Sequence, residues 1–186
     1  MKYKIVTCFD EKKLKKNAFK LLNEFKENWE PDIEFHCYYY NLDISNYSLP
    51  QADNIKYHKL ENIEEYSTFV EENKKHNGTE DGAVQYTELL DGLSAAPEVF
   101  AITECAFENK ESWLLWVDPM CLTVKDIRIS TLNNYFPDSV YNVDFVYTPE
   151  TSYLMAFNLE RQTAVDILGD WRGSYMSGEY INYREW

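Results

Sequence analysis

Trp113-Leu114-Leu115-Trp116-Val117-Asp118-Pro119-Met120-Cys121 is the stretch on which the reading of this chain turns. A continuous apolar run, closed by a carboxylate and a proline, is the pattern of a central strand buried on both faces of a sheet. Ligands of open α/β sheets bind outside the carboxyl ends of such strands. Asp118 is therefore the first residue to examine for chemistry. Its plainer role is that of a strand-end carboxylate capping the turn before Pro119. Pro119 and Met120 supply no second carboxylate.

Upstream, the pattern alternates between strand and helix. Tyr3–Phe9 reads as a strand, and Asp10 is placed to cap the helix that follows. Leu14, Ala18, Leu21, Leu22 and Phe25 recur at helical spacing up to about Asn28, with lysines on the opposite face. Pro31-Asp32 breaks that helix, and Ile33–Tyr40 is a second strand. Strand, helix and strand in succession imply a parallel sheet. A short strand over Ile55–Leu60 and an acidic helix over 62–75 follow. The His76–Gly82 stretch is a polar loop, and Tyr86–Phe107 is a helix interrupted near Pro97. Downstream of Asp118 the pattern predicts a short helix in Thr131–Asp138 and an edge strand at Asp144–Tyr147. A strand at Tyr153–Asn158 and a helix over Arg161–Tyr175 complete it, with Gly178 near the exit. The fold class is α/β, one domain over 1–186 with a central mixed, mainly parallel sheet flanked by helices.

Charge excludes several functions. Residues 1–30 carry a local +3, while the remainder sums to −17 within a total of −14. Such a surface repels phosphate backbones and anionic membrane, so nucleic acid is not an expected partner. No stretch approaches the roughly 18 apolar residues of a membrane span. The start of the chain runs straight into a strand pattern with no secretory leader, and a cytoplasmic protein is expected. The cysteines (Cys8, Cys37, Cys105, Cys121) form no CxxC pair and lie in apolar segments, as buried reduced thiols do. His36 falls within a strand, while His58 and His76 read as solvent-facing, so no histidine cluster or zinc site is expected. Neither GxGxxG nor GxxxxGK[ST] occurs, which excludes a dinucleotide-binding fingerprint and a P-loop.

Three pieces in order carry a resemblance: the Ile5-Val6-Thr7 strand and its turn, Trp116-Val117-Asp118, and Phe157-Asn158 followed by Glu179-Tyr180-Ile181 and Glu185-Trp186. This arrangement resembles the GT-A-type (Rossmann-like) glycosyltransferases, in particular small ones common in bacteriophage genomes. There an apolar strand ends in Asp-x-Asp, a Gly-Phe-x-x-Phe-Asn strand follows, and a later segment ends Glu-Trp-His-Asp. The resemblance implies a nucleotide-sugar donor, an acceptor of unknown identity, and Mn²⁺ or Mg²⁺ held by hard oxygen ligands. It assigns Asp118 to the ribose or the metal and Glu185 to the catalytic set. Thr7, Cys8 and Phe9 would line the nucleotide pocket, with Asn158 beside it.

The chain departs from the pattern at four places. Met120 stands where the second Asp would, Tyr153 where the glycine would, and Glu98 where relatives carry a lysine. The His-Asp pair would fall beyond Trp186, which implies either a shortened C-terminus or a chain that never carried the pair. Lys125, Arg128, Arg161 and Arg172 are candidates for holding a diphosphate without a metal, their plainer role being surface charge. A donor-using transferase is thus the first reading. A non-catalytic descendant of the same fold, used for binding or protein interaction, is the second.

Overall fold

A computed structural model describes residues 2–73, 88–108, 113–123, 125–136, 144–147 and 154–179. Strand β1 (Tyr3–Phe9) leads into one continuous helix, α1, made of Glu11–Lys13, a π-helical turn at Leu14–Ala18, and Phe19–Asn28. Asp10 caps it as expected, its Oδ1 accepting from the Lys13 N–H at 2.7 Å. Next come β2 (Glu34–Tyr39), β3 (Ile55–Lys59), α2 (Glu64–Asn73), α3 (Glu88–Glu108) and β4 (Trp113–Val117). The order ends with α4 (Ile129–Tyr135), β5 (Phe145–Tyr147), β6 (Leu154–Asn158) and α5 (Gln162–Met176). Gly178, at φ +76°, closes α5 in the left-handed conformation that favours glycine.

The strands form one six-stranded sheet in the order β3-β2-β1-β4-β6-β5. β1 runs parallel to β2 and to β4, and β2 parallel to β3. β6 is antiparallel to both β4 and β5. The sheet is therefore mixed, parallel across β3-β2-β1-β4, with β3 and β5 as its edge strands.

Both faces of β1 and β4 are buried, which is why their sequences are apolar without alternation. On one face Ile5, Phe9, Trp113, Leu115 and Val117 pack with Leu14, Leu21, Leu22 and Phe25 of α1. On the other, Val6, Cys8, Leu114 and Trp116 pack with Val99, Phe100, Ile102 and Cys105 of α3. α3 passes through Pro97 without the interruption expected there. Proline forfeits one intrahelical bond, but Ala96, Val99 and Phe100 are buried against the sheet, and that packing outweighs a local breaker. Three thiols, Cys8, Cys37 and Cys105, are buried and free as expected, whereas Cys121 is half-buried. No helix among the described residues is long and apolar enough to cross a membrane.

The sheet also joins two histidines that lie apart in sequence. β2 and β3 pair Tyr38 with His58, two residues along from the His36–Lys56 pair. His36 Nδ1 lies 3.2 Å from His58 Nε2, and His36 Nε2 lies 3.2 Å from Glu34 Oε2. The ring planes are parallel to within 4°, with 5.2 Å between centroids. With the Glu34 carboxylate ionised, His36 Nε2 donates to it and His36 Nδ1 accepts from His58 Nε2. His58 is half-buried rather than solvent-facing, because the neighbouring strand supplies a partner that sequence spacing does not reveal.

Burial holds His36 neutral, pushing its imidazole down from 6.5 to about 4. Its neutral form contributes stability that is present above 6.5 and lost as pH falls toward 4. The expected loss is about 3 kcal/mol, measured as the urea midpoint against pH and absent in His36→Gln. Trp116→Ala is expected to lower stability by about 3–5 kcal/mol in the same assay. A loss within the range of surface substitutions contradicts the two-faced burial of β4.

Candidate functional site

The strand order turns back on itself between β1 and β4, so the carboxyl ends of these two strands stand where open α/β sheets form their ligand crevice. β1 ends at Phe9, and Asp10 and Lys13 open α1 on one side. β4 ends at Val117, and Asp118 and Met120 form the turn after it. From the other face, α3 brings Glu98 to the same place.

Lys13 Nζ lies 3.3 Å from Glu98 Oε1, an ion pair between helices on opposite faces of the sheet. Burial pushes the Glu98 carboxyl above its ordinary value. The Lys13 ammonium pulls it down and the Asp118 charge pushes it up. Glu98 and Asp118 are thus electrostatic neighbours, with Lys13 the cation among them. Tyr40 closes this end of the sheet: its N–H donates to the Phe9 carbonyl at 3.2 Å. Burial raises its phenol, with Cys8, Asp10 and Glu98 adding to the rise.

Asp118 takes the role of a turn cap with one oxygen. Its Oδ1 accepts from the Met120 N–H at 2.7 Å, and its carbonyl accepts from the Cys121 N–H at 2.9 Å. The chain beyond is fastened to α1 and the residues just after it. Asn17 Nδ2 reaches the Met120 carbonyl at 3.5 Å and its sulfur at 3.6 Å. Glu24 accepts from the Thr123 N–H at 2.6 Å, and Trp29 Nε1 donates to the Thr123 hydroxyl at 2.9 Å. Glu30 accepts from the Ile129 N–H at 2.6 Å. Residues of the α1 region therefore hold the segment after Asp118 in place.

The other sequence candidates divide sharply. Thr7, Cys8 and Phe9 belong to the strand that ends at the crevice, but their side chains are wholly buried, and the Thr7 hydroxyl has no hydrogen-bond partner. Asn158 pairs with Trp113, whereas Val117 pairs with Leu154. Asn158 therefore stands at the amino end of β4, away from Asp118, where its Oδ1 accepts from the Glu160 N–H at 3.3 Å. Glu185, Tyr153 and His76 lie outside the described residues. Of the cations considered from sequence, Arg161 pairs with Asp144 at 2.9 Å and Arg172 pairs with Glu104 at 2.9 Å and with Glu65. Lys125 and Arg128 are exposed. The cation at the crevice is Lys13, which sequence reasoning passed over as one of several lysines on a polar helix face. Its position three residues after a capping Asp was the available signal.

The described donors do not fit a hard divalent cation. Asp118 has one oxygen engaged, Glu98 is paired with Lys13, and the Met120 thioether is a soft ligand. No group of three or more metal-ligating side chains occurs among the described residues.

No protein-family model matches the chain, and no curated protein does. Among solved structures, it is similar to mouse xyloside xylosyltransferase 1 in its apo form. That likeness has a TM-score of 0.54 at 11% identity and covers 99% of this chain and 77% of that one. A second similar structure is the galactosyltransferase LgtC in complex with donor and acceptor sugar analogs. Here the TM-score is 0.44 at 13% identity, covering 97% of this chain and 69% of that one.

Because ionised Glu98 is held against its burial, Glu98→Gln is expected to be more stable than the parent at neutral pH. The gap should narrow as pH falls and close well below 4.5, where the carboxyl is protonated in both states. Urea denaturation across that range checks it, and a variant that is less stable at neutral pH contradicts the assignment. With the first of those likenesses and the mixed sheet described above, the chain has a GT-A-like, glycosyltransferase-type fold.

Proposed function

We propose that the crevice between β1 and β4 binds a nucleoside-diphosphate sugar, and that the chain transfers the sugar to an acceptor hydroxyl. The observation that supports this most is the position of Asp118 at the strand-order reversal of a GT-A-like fold, with an ammonium close by. In this reading Asp118 meets the ribose through its second oxygen. Thr7, Cys8 and Phe9, wholly buried, back the base pocket from the core by fixing where β1 ends, and Tyr40 offers a ring beside it. Glu185 is assigned with them on the resemblance alone. Transfer would break the bond between the anomeric carbon and the diphosphate oxygen and form one to the acceptor oxygen. The acceptor's proton would pass to a base or to the leaving diphosphate.

Lys13 gives this reading a specific electrostatic consequence. A diphosphate that draws the ammonium away from Glu98 leaves a buried carboxylate facing Asp118 and a new anion. Glu98 then takes up a proton. Calorimetric titration of UDP and GDP, and of their sugars, is expected to show binding with proton uptake, seen as an enthalpy that varies with buffer ionisation. Lys13→Ala is expected to weaken the diphosphate interaction about tenfold or more. The same titrations with and without Mn²⁺ separate a metal-assisted site from a cationic one. No binding of any of these nucleotides contradicts the proposal.

A non-catalytic binding role is the second reading, favoured by Met120 in the place of a second carboxylate and by the engaged Asp118 oxygen. Nucleotide-sugar binding with no release of nucleoside diphosphate, in the presence of a panel of sugar acceptors, selects it.

A further inference from the structure

The histidines that β2 and β3 bring together lie on the same face of the sheet as Tyr38, the face that packs against α3. His36 is 2% exposed and His58 is half-buried, with His36 Nδ1 3.2 Å from His58 Nε2. Behind His36, the Glu34 carboxylate holds the other ring nitrogen, Nε2, at 3.2 Å. Metal-binding histidines are held in this way, with one nitrogen on a carboxylate and the other on the ion. The spacing fits as well. Two nitrogens at about 2.0–2.1 Å from a tetrahedral ion stand roughly 3.3 Å from each other. An ion that replaces the proton between the rings therefore requires almost no movement of either strand. That proton passes from His58 Nε2 to His58 Nδ1, and both rings bind as neutral imidazoles.

The surroundings favour a cation. His58 lines a cavity of about 590 Å³ between the β2–β3 side of the sheet and helices α2, α3 and α5. Glu64, Glu65, Glu104 and Glu108 line it too, against the cations Lys59 and Arg172, so carboxylates are in excess. Arg172 is already taken up by Glu104 and Glu65. A cation that enters here is drawn toward the histidines. The charges of Glu108 and Glu104 act on the His58 ring, opposed by Lys56 and Lys4, while Lys4 and Lys56 also face His36. Burial outweighs these charges and holds both rings neutral, the form in which imidazole binds a metal. No group of three ligands is assembled among the described residues, so water and the exposed Glu108 complete the shell. Two imidazoles with a carboxylate suit Zn²⁺, Ni²⁺ or Cu²⁺ and not the hard ions Mg²⁺ and Ca²⁺.

We propose that His36 and His58 are two ligands of a transition-metal site, with Glu34 orienting His36 from behind, and that the ion clasps β2 to β3. The site stands independently of the nucleotide-sugar reading, because it shares no residue with the crevice between β1 and β4.

The test titrates Zn²⁺ into the full metal-free chain labelled with ¹⁵N, by calorimetry and by NMR of the histidine ring nitrogens. The expected result is saturable binding that moves the His36 Nδ1 and His58 Nε2 resonances, is not displaced by excess Mg²⁺, and raises Tm. His58→Gln is expected to weaken this binding about tenfold or more and to remove the rise in Tm, whereas His76→Gln leaves both in place. The ring-nitrogen signals of the parent chain decide the matter even where a variant folds poorly. No binding of Zn²⁺, or binding that leaves those two nitrogens unmoved, overturns the proposal. A Tm that saturating Zn²⁺ does not raise overturns it, and so does undiminished binding in His58→Gln.

Discussion

The parallel pairing of β1 with β4 is the contact on which the remaining architecture depends. It aligns Tyr3 with Trp113 and Val6 with Trp116, two segments more than a hundred residues apart in the chain. Both strands must then be covered on both faces, and α1 and α3 supply the covers. Because β2 pairs with the other edge of β1, the same contact creates the reversal of strand order. The crevice follows from the pairing without any further device. What the chain adds is the Lys13–Glu98 pair above the reversal, together with the contacts from Asn17, Glu24, Trp29 and Glu30 that fasten the loop after Asp118.

The polar chemistry at the carboxyl ends of β1 and β4 answers to charge. Glu98 pairs with the Lys13 ammonium and feels the Asp118 charge, so the local balance responds to whatever anion arrives. The strong negative charge of the whole chain opposes an arriving diphosphate, which makes Lys13 important.

Legibility in sequence followed the range of the interaction. Buried on both faces, β4 declared itself as an unbroken apolar run, and Asp10 as a cap, because both signals are local. The α/β class and the mixed, mainly parallel sheet were legible for the same reason. Pro97 misled, because the burial that carries the helix through it comes from the sheet below. The His36–His58 pair and the Lys13–Glu98 pair were hidden, since each joins elements whose adjacency only the strand order reveals. Asn158 was read as a cofactor-binding residue from the resemblance; antiparallel pairing puts it at the end of β4 opposite Asp118. Spacing along a sequence carries no information about strand direction.

The central claim, that ligand binds at the strand-order reversal, is tested most directly by mapping backbone amide shifts in the full chain as UDP is added. The account expects saturable shifts confined to Asp10–Asn17, Tyr40 and Val117–Cys121, where the ends of β1, β2 and β4 meet. Shifts at the opposite end of the sheet, around Lys2 and Asn158–Arg161, or none at all, contradict it.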